Sequence, residues 1–206
     1  MPLAALTGLQ ALREAAGCAS GQRVLVHAGA GGVGSLAIQI AKQLGLWVAT
    51  TTSTKNVDFV RALGADEVID YTKDSIARPK ELDAVLDTLG DASELGSLAI
   101  TKRGGTVVGI GGMPDVAWAK HHLPWFAVPV VRWRTRNRRA AEARTGARFV
   151  YLFMRPDGAQ LAELASWIDA GAVEPIIHRT YPFAELREAF AELERGRARG
   201  KIVVTI

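Results

Sequence analysis

The chain has one cysteine, Cys18, in 206 residues. A lone thiol excludes an internal disulfide and any cysteine-based metal cluster, and it suits a reducing compartment. Long apolar runs are missing too. None reaches the roughly 18 residues that point to a membrane-spanning helix. No charged, apolar and small-residue series of a signal peptide opens the chain. These absences predict no membrane partner, no export and a cytoplasmic location. There is no Gly-x-Ser-x-Gly elbow and no Walker loop, so hydrolase and nucleotidase readings have no support.

Other chemistries fail on the same ground. A Tyr-x-x-x-Lys pair, the mark of short-chain dehydrogenases, is absent: Tyr71, Tyr151 and Tyr181 are followed four residues on by Ser75, Arg155 and Glu185. His27, His121, His122 and His178 are scattered, so no metal site is predicted, and the His121–His122 pair reads as a solvated loop. What remains, 49% hydrophobic and 22% charged residues, suits a globular α/β chain with a core of useful size. The net charge of +4 is uneven. Arg132, Arg134, Arg136, Arg138, Arg139, Arg144 and Arg148 crowd one stretch. No nucleic-acid motif accompanies them, so they read as a solvated helix face, with no nucleic-acid partner.

The stretch from Arg23 to Thr52 organises the rest. An apolar run, Arg23 to His27, ends in Gly29, Gly31, Gly32 and Gly34. A helix pattern follows from Ser35 to Leu44, then a second apolar run from Leu46 to Thr50. That is strand, turn, helix and strand within the roughly 30 residues of a βαβ unit. A tight turn of this kind calls for positive φ, which glycine adopts freely. Glycine also lets a pyrophosphate reach the backbone, where a helix N-terminus offers free N–H groups. The turn Ala30, Gly31, Gly32, Val33 and Gly34 is therefore the predicted phosphate site. The competing reading is a glycine-rich turn that merely connects strand and helix.

A dinucleotide site for NAD carries an acid about 20 residues past the glycines. Here that region reads Thr50-Thr51-Thr52-Ser53-Thr54-Lys55. Hydroxyls and a cation suit a 2′-phosphate and a carboxylate would repel it, so Thr52, Ser53 and Lys55 predict NADP(H). The alternative is a polar strand end that caps the helix expected at Asn56 to Leu63. Later strands are expected at Glu67–Tyr71, Asp83–Thr88, Gly105–Ile110 and Arg148–Met154, with helices between them. The pattern means a Rossmann doubly wound, six-stranded parallel sheet. At the C-terminal ends of the fourth and fifth strands, Leu89, Gly90, Gly109 and Ile110 would let a nicotinamide ring approach. Phe153 is a further candidate for its pocket, against the commoner reading of a strand aromatic as core.

Residues 3–13 (LAALTGLQALR), the AGAGGVG turn, Leu63-Gly64-Ala65-Asp66, Val68-Ile69-Asp70-Tyr71, Asp87-Thr88-Leu89-Gly90 and the closing Gly200-Lys201-Ile202-Val203-Val204 together resemble the zinc-independent quinone oxidoreductases of the medium-chain dehydrogenase/reductase superfamily. The phrase Phe153-Met154-Arg155-Pro156-Asp157-Gly158 is similar to bacterial NADP-dependent members of that group. The resemblance implies hydride transfer from NADPH to a quinone or activated alkene. It implies that Tyr71 lies near the 2′-phosphate and that Lys201 touches the cofactor. It gives no catalytic side chain and no metal.

The resemblance also implies an organisation: an NADP-binding domain over residues 1–155, then a segment, 156–206, that would complete a GroES-like domain not otherwise present. On that reading the chain looks like a fragment that is inactive alone. The alternative is a non-catalytic NADPH-binding piece or a subunit completed by another chain. Finally, the expected sixth strand, Arg148 to Met154, would leave a row of unpaired backbone groups at the sheet edge. A homodimer through residues 148–154 follows, as in the resembling enzymes.

Overall fold

The computed structural model describes residues 2–74 and 80–206. Helix α1 (Pro2–Gln10) widens into a π turn at Ala11–Ala15 and is closed by Gly17 at φ +65°. Then come β1 (Arg23–Val26), α2 (Gly34–Gln43), β2 (Trp47–Thr52), α3 (Val57–Ala62), β3 (Glu67–Asp70), β4 (Leu82–Asp87), α4 (Glu94–Ile100) and β5 (Thr101–Gly109). Three helices, α5 (Val116–His122), α6 (Val128–Arg134) and α7 (Arg136–Thr145), lead to β6 (Arg148–Tyr151). The six strands form one parallel sheet in the order β3-β2-β1-β4-β5-β6. The order reverses between β1 and β4, which opens a crevice at their C-terminal ends.

Alternation along the strands builds the two faces. Val24 and Val26 of β1, Val48 of β2, Ala84 and Leu86 of β4 and Val108 of β5 point to one side, where α1 and α2 cover them. Leu25, Ala49, Val85 and Val107 point to the other, under α4 and α7. The four inner strands, β1, β2, β4 and β5, are buried on both faces along most of their length, which is why they read as apolar runs rather than alternating ones.

The remaining elements are α8 (Gly158–Asp169), β7 (Ile177–Pro182), α9 (Leu186–Glu194) and β8 (Lys201–Thr205). Asp157 caps α8 by accepting from the Gln160 amide at 3.0 Å. Leu164 and Val173 join the larger core, and Arg13 grips Glu163 with two bonds of 2.6 and 2.7 Å. Residues past 155 thus pack against the same core. Strands β7 and β8 pair with each other as a separate parallel ribbon.

Four expectations need correction. The fifth strand starts at Thr101 rather than Gly105, because Gly104 at φ +80° kinks the strand without ending it. Residues 116–122 form a helix, so His121 and His122 stand at a helix end and not in a loop. The arginine-rich helix is two helices meeting at Thr135, whose hydroxyl bonds the Val131 carbonyl. Its face is not solvated throughout: Arg138 is buried and pairs with buried Glu94.

The sheet edge differs most. β6 ends at Tyr151, three residues short of Met154. Its outward N–H groups are not unpaired. The Phe149 amide donates to Glu142 at 2.7 Å and the Tyr151 amide to Asp115 at 2.8 Å. Carboxylates from the chain itself close the edge donors that a partner strand would need.

Candidate functional site

The turn after β1 is shaped by close approach. A Cβ on Gly34 would collide with the Ala28 carbonyl and lie 2.8 Å from the Gly29 Cα, so α2 can pack on the turn only through glycine. A Cβ on Gly29 would strike the Thr50 hydroxyl. The positive φ does not fall on a glycine: Ala28 takes it, at +51°. Its amide is held by Thr51 Oγ1 at 3.1 Å and its carbonyl accepts from the Gly31 amide at 2.9 Å. These bonds offset the strain of that conformation. Among the described residues, the amides of Gly32, Val33 and Gly34 donate to no protein acceptor. They open α2, where anions are favoured.

A buried relay stands behind the turn. Thr51 Oγ1 accepts from Ala28, so its own hydroxyl donates to His27 Nδ1, at 3.1 Å. His27 Nε2–H then donates to Ser97 Oγ at 3.1 Å, and Ser97 donates to Asp87 at 2.7 Å. His27 and Asp87 are fully buried. Every proton in the chain finds an acceptor with His27 neutral. Burial lowers the His27 pKa, and the Asp87 charge opposes this only in part. The relay crosses the switch point and joins the ends of β1, β2 and β4 to α4.

A crevice of about 290 Å³ runs from this turn to the end of β2. Ala30 and Gly31 line one end, and Thr52, Ser53, Lys55 and Tyr71 the other. Two of the five residues predicted for phosphate, Ala30 and Gly31, therefore share one cavity with those predicted for the 2′ position; Gly32, Val33 and Gly34 lie outside its lining. Thr50, Thr51 and Thr54, read from sequence as part of one hydroxyl series, are committed elsewhere: Thr50 to the Val26 carbonyl, Thr51 to the relay, Thr54 to Asp70. Asp70, the last residue of β3, lies beside Thr54. The Thr54 hydroxyl bonds its carboxylate at 2.5 Å and the Thr72 hydroxyl and amide bond it at 2.7 and 3.0 Å. These bonds hold its pKa below the ordinary value, with the Thr54 hydroxyl the largest cause.

Sequence reasoning missed two arginines here. Arg197 lines the crevice. Arg199 ties the C-terminal loop to the residues after β2, bonding Asn56 at 2.7 Å and the Lys55 carbonyl at 2.8 Å. Their place before β8 carries no signal in sequence. Lys201 was expected at the site, and it lies across Gly32: a Cβ on Gly32 would come within 2.7 Å of the lysine Nζ. The Gly200 amide donates to the Ala30 carbonyl at 2.9 Å, so the tail is bonded to the turn.

The candidates at the other end are placed differently. Leu89 is half exposed, and Gly90, at φ +77°, lies against the Gly112 amide. A Cβ on Gly109 would enter the Phe149 ring, so packing across the sheet explains that glycine. Ile110 is partly buried against the larger core. Phe153 is 74% exposed beyond the end of β6, not in a strand, and joins none of the other candidates. The loop after β5 is fixed by Arg138, which donates to the Met113 and Pro114 carbonyls at 2.8 and 3.0 Å and to Glu94 at 3.0 Å.

A family model described as "Zinc-binding dehydrogenase" matches residues 63–204. The chain belongs to this family. Among similar proteins of the zinc-binding dehydrogenase family and its neighbours is the mouse "NAD(P)H oxidoreductase RTN4IP1, mitochondrial", 34% identical over 220 residues, covering 100% of this chain and 54% of the relative. The tomato "2-methylene-furan-3-one reductase" is 35% identical, covering 99% of this chain and 45% of the relative. The solved quinone oxidoreductase from Coxiella burnetii superposes with a TM-score of 0.82 at 32% identity, over 100% of this chain and 59% of that one. The chain spans about half the length of the curated relatives it matches.

The family description names zinc. Among the described residues no group of three or more His, Cys, Asp or Glu could hold a metal ion, so these residues do not fit one. A dinucleotide fits better: the crevice starts at Ala30 and Gly31, next to the free amides that open α2, and Lys55 and Arg197 line it.

Proposed function

We propose that this zinc-binding dehydrogenase family chain binds NADP(H) and serves a zinc-independent reductase that acts on a quinone or an activated alkene. One observation carries the reading. A single crevice joins Ala30 and Gly31 of the glycine turn, just ahead of the free amides that open α2, to Ser53, Lys55, Tyr71 and Arg197, with the nearby Asp70 carboxylate already bonded within the protein. A reduced nicotinamide bound there would supply hydride. The chain's own residues bind and orient it: the α2 amides take the pyrophosphate, Lys201 closes over Gly32, and Lys55 and Arg197 face the 2′-phosphate. Fluorescence titration tests this. NADPH should bind at least tenfold more tightly than NADH, since a charge-assisted hydrogen bond contributes about 1.5–3 kcal/mol. Lys55→Gln with Arg197→Gln should erase the preference. Equal affinities in the wild type would refute it.

A second reading is favoured by one further feature. An apolar cavity of about 470 Å³ opens beside Lys201, walled by Leu186, Phe190, Leu193 and Ile202. Phe190 and Leu193 are exposed. A surface of this kind suits a non-catalytic binding piece or a subunit that another chain completes, with water excluded only then. NADPH oxidation by the 206-residue chain with quinones and enones should accordingly be negligible. Robust turnover would refute that reading.

A homodimer through residues 148–154 remains the assembly that the resemblance implies. Pairing there would require Glu142 and Asp115 to release the Phe149 and Tyr151 amides. A wild type that sediments as a monomer at micromolar concentration would refute it. A cytoplasmic location is likewise our proposal, which cell fractionation would test.

A further inference from the structure

We propose that the outward face of α5 and α6 docks on an anionic lipid surface. From Val116 to Ala141 the chain holds Lys120, Arg132, Arg134, Arg136, Arg138 and Arg139 and no aspartate or glutamate. Arg138 is buried; the other five are exposed. Among the described residues those five have no ion-pair partner. The nearby acids are engaged by backbone amides: Asp91 accepts from the Met113 amide, Asp115 from Trp118 and Tyr151, and Glu142 from Phe149.

Large apolar side chains stand among these cations. Trp125 is 85% exposed, and Phe126 and Trp133 are each 64% exposed. Val131 turns inward, so Val130 and Trp133, three residues apart on α6, face outward, and Trp125 and Phe126 stand exposed in the turn before it. Arg136 stacks on Trp133 at 4.7 Å from the ring centre, and α5 packs beside α6. Tryptophan and phenylalanine next to arginines, in a segment that has no carboxylate of its own, is the composition of an interfacial lipid anchor.

Rival occupants fit less well. A second copy across a two-fold axis would set this cationic face against itself. Single-stranded nucleic acid could use the arginines and stack on Trp125, Phe126 and Trp133, but it has no use for Pro129 and Val130, exposed among them, which fit an acyl boundary. In a bilayer those side chains enter the acyl boundary while the arginines meet the headgroups. The sequence predicted no membrane partner because it has no spanning segment; among the described residues no helix is long and apolar enough to cross. A surface patch needs neither. This inference is independent of the proposed cofactor and substrate.

Co-sedimentation of the full chain with vesicles of phosphatidylcholine, with and without phosphatidylglycerol, tests it. The chain should bind the anionic vesicles with a blue shift in tryptophan emission, and release at about 1 M salt, where the Debye length is near 3 Å. Arg132→Gln, Arg134→Gln and Arg136→Gln together should weaken binding roughly a hundredfold. Trp125→Ser with Trp133→Ser should abolish the blue shift. These residues are exposed, and unchanged circular dichroism and melting confirm folding of the variants. Equal binding to neutral vesicles, no binding, unaltered binding by folded variants, or tighter binding to single-stranded DNA than to anionic vesicles would each overturn the proposal.

Discussion

Replacing Arg138 with methionine would leave Glu94 ionised in a place where its side chain is only 7% exposed. The change removes the bonds to Glu94, those to the Met113 and Pro114 carbonyls, and the guanidinium lying 3.9 Å over Phe149. Breaking a buried pair by deleting one partner costs about 3–5 kcal/mol, mostly from the charge left unpaired. For a chain of this size that is a fall in Tm of about 6–20 °C. The pH dependence identifies the cause. Burial already raises the Glu94 pKa against the pull of Arg138, and losing that pull raises it further. A group whose folded pKa is raised gains stability as the pH falls through it. The Arg138→Met penalty should therefore shrink from pH 7 toward pH 5. Adding Glu94→Leu should recover most of it at pH 7. Thermal and urea unfolding at both values measure this. A single variant that loses less than about 1 kcal/mol, or a double variant no more stable than the single, would refute the argument. The loop after β5 hangs on the same bonds, so nucleotide affinity should fall with Arg138→Met as well.

Gly34→Ala should abolish nucleotide binding, because its Cβ meets the Ala28 carbonyl and the turn must open; normal binding by a folded variant would remove the phosphate-site assignment. Burial and the Asp83 charge push the Cys18 thiol up to about 11, so a disulfide reagent at pH 8 should label it far more slowly than free cysteine, and rapid labelling would contradict that burial. His27 has a lowered folded pKa and stays neutral in the relay, so it costs stability as the pH falls below the unfolded value of about 6.5. His27→Gln should flatten that part of the stability curve, and nitrogen NMR should show a neutral Nε2–H tautomer; a charged imidazolium at pH 7 would refute the relay.

The βαβ unit and the rest of the parallel sheet could be read from the chain, because strands buried on both faces become short apolar runs with glycine at their ends. The glycine turn was legible for a related reason: its residues are fixed by local contacts at Ala28, Gly29 and Gly34. Even there the sequence misplaced the strained backbone. Which residue takes positive φ depends on Thr51, which lies on the next strand and is held by a relay reaching α4.

Other features had no local trace. Arg138 looks like its neighbours in sequence, and only the packing of α4 against α7 buries it. Arg197 and Arg199 sit far along the chain from the turn, and the docking of the tail at Ala30 brings Arg197 to the crevice and Arg199 to Asn56 and Lys55. The capping of the β6 edge by Asp115 and Glu142 depends on how α5 and α7 return over the sheet. Apolar periodicity and glycine are local properties, so the sequence determined the strands, the helices and the phosphate turn. Charge partners separated by tens of residues are set by topology, so the tertiary structure alone decided which arginine is buried, which cations face the crevice and which edge groups are closed.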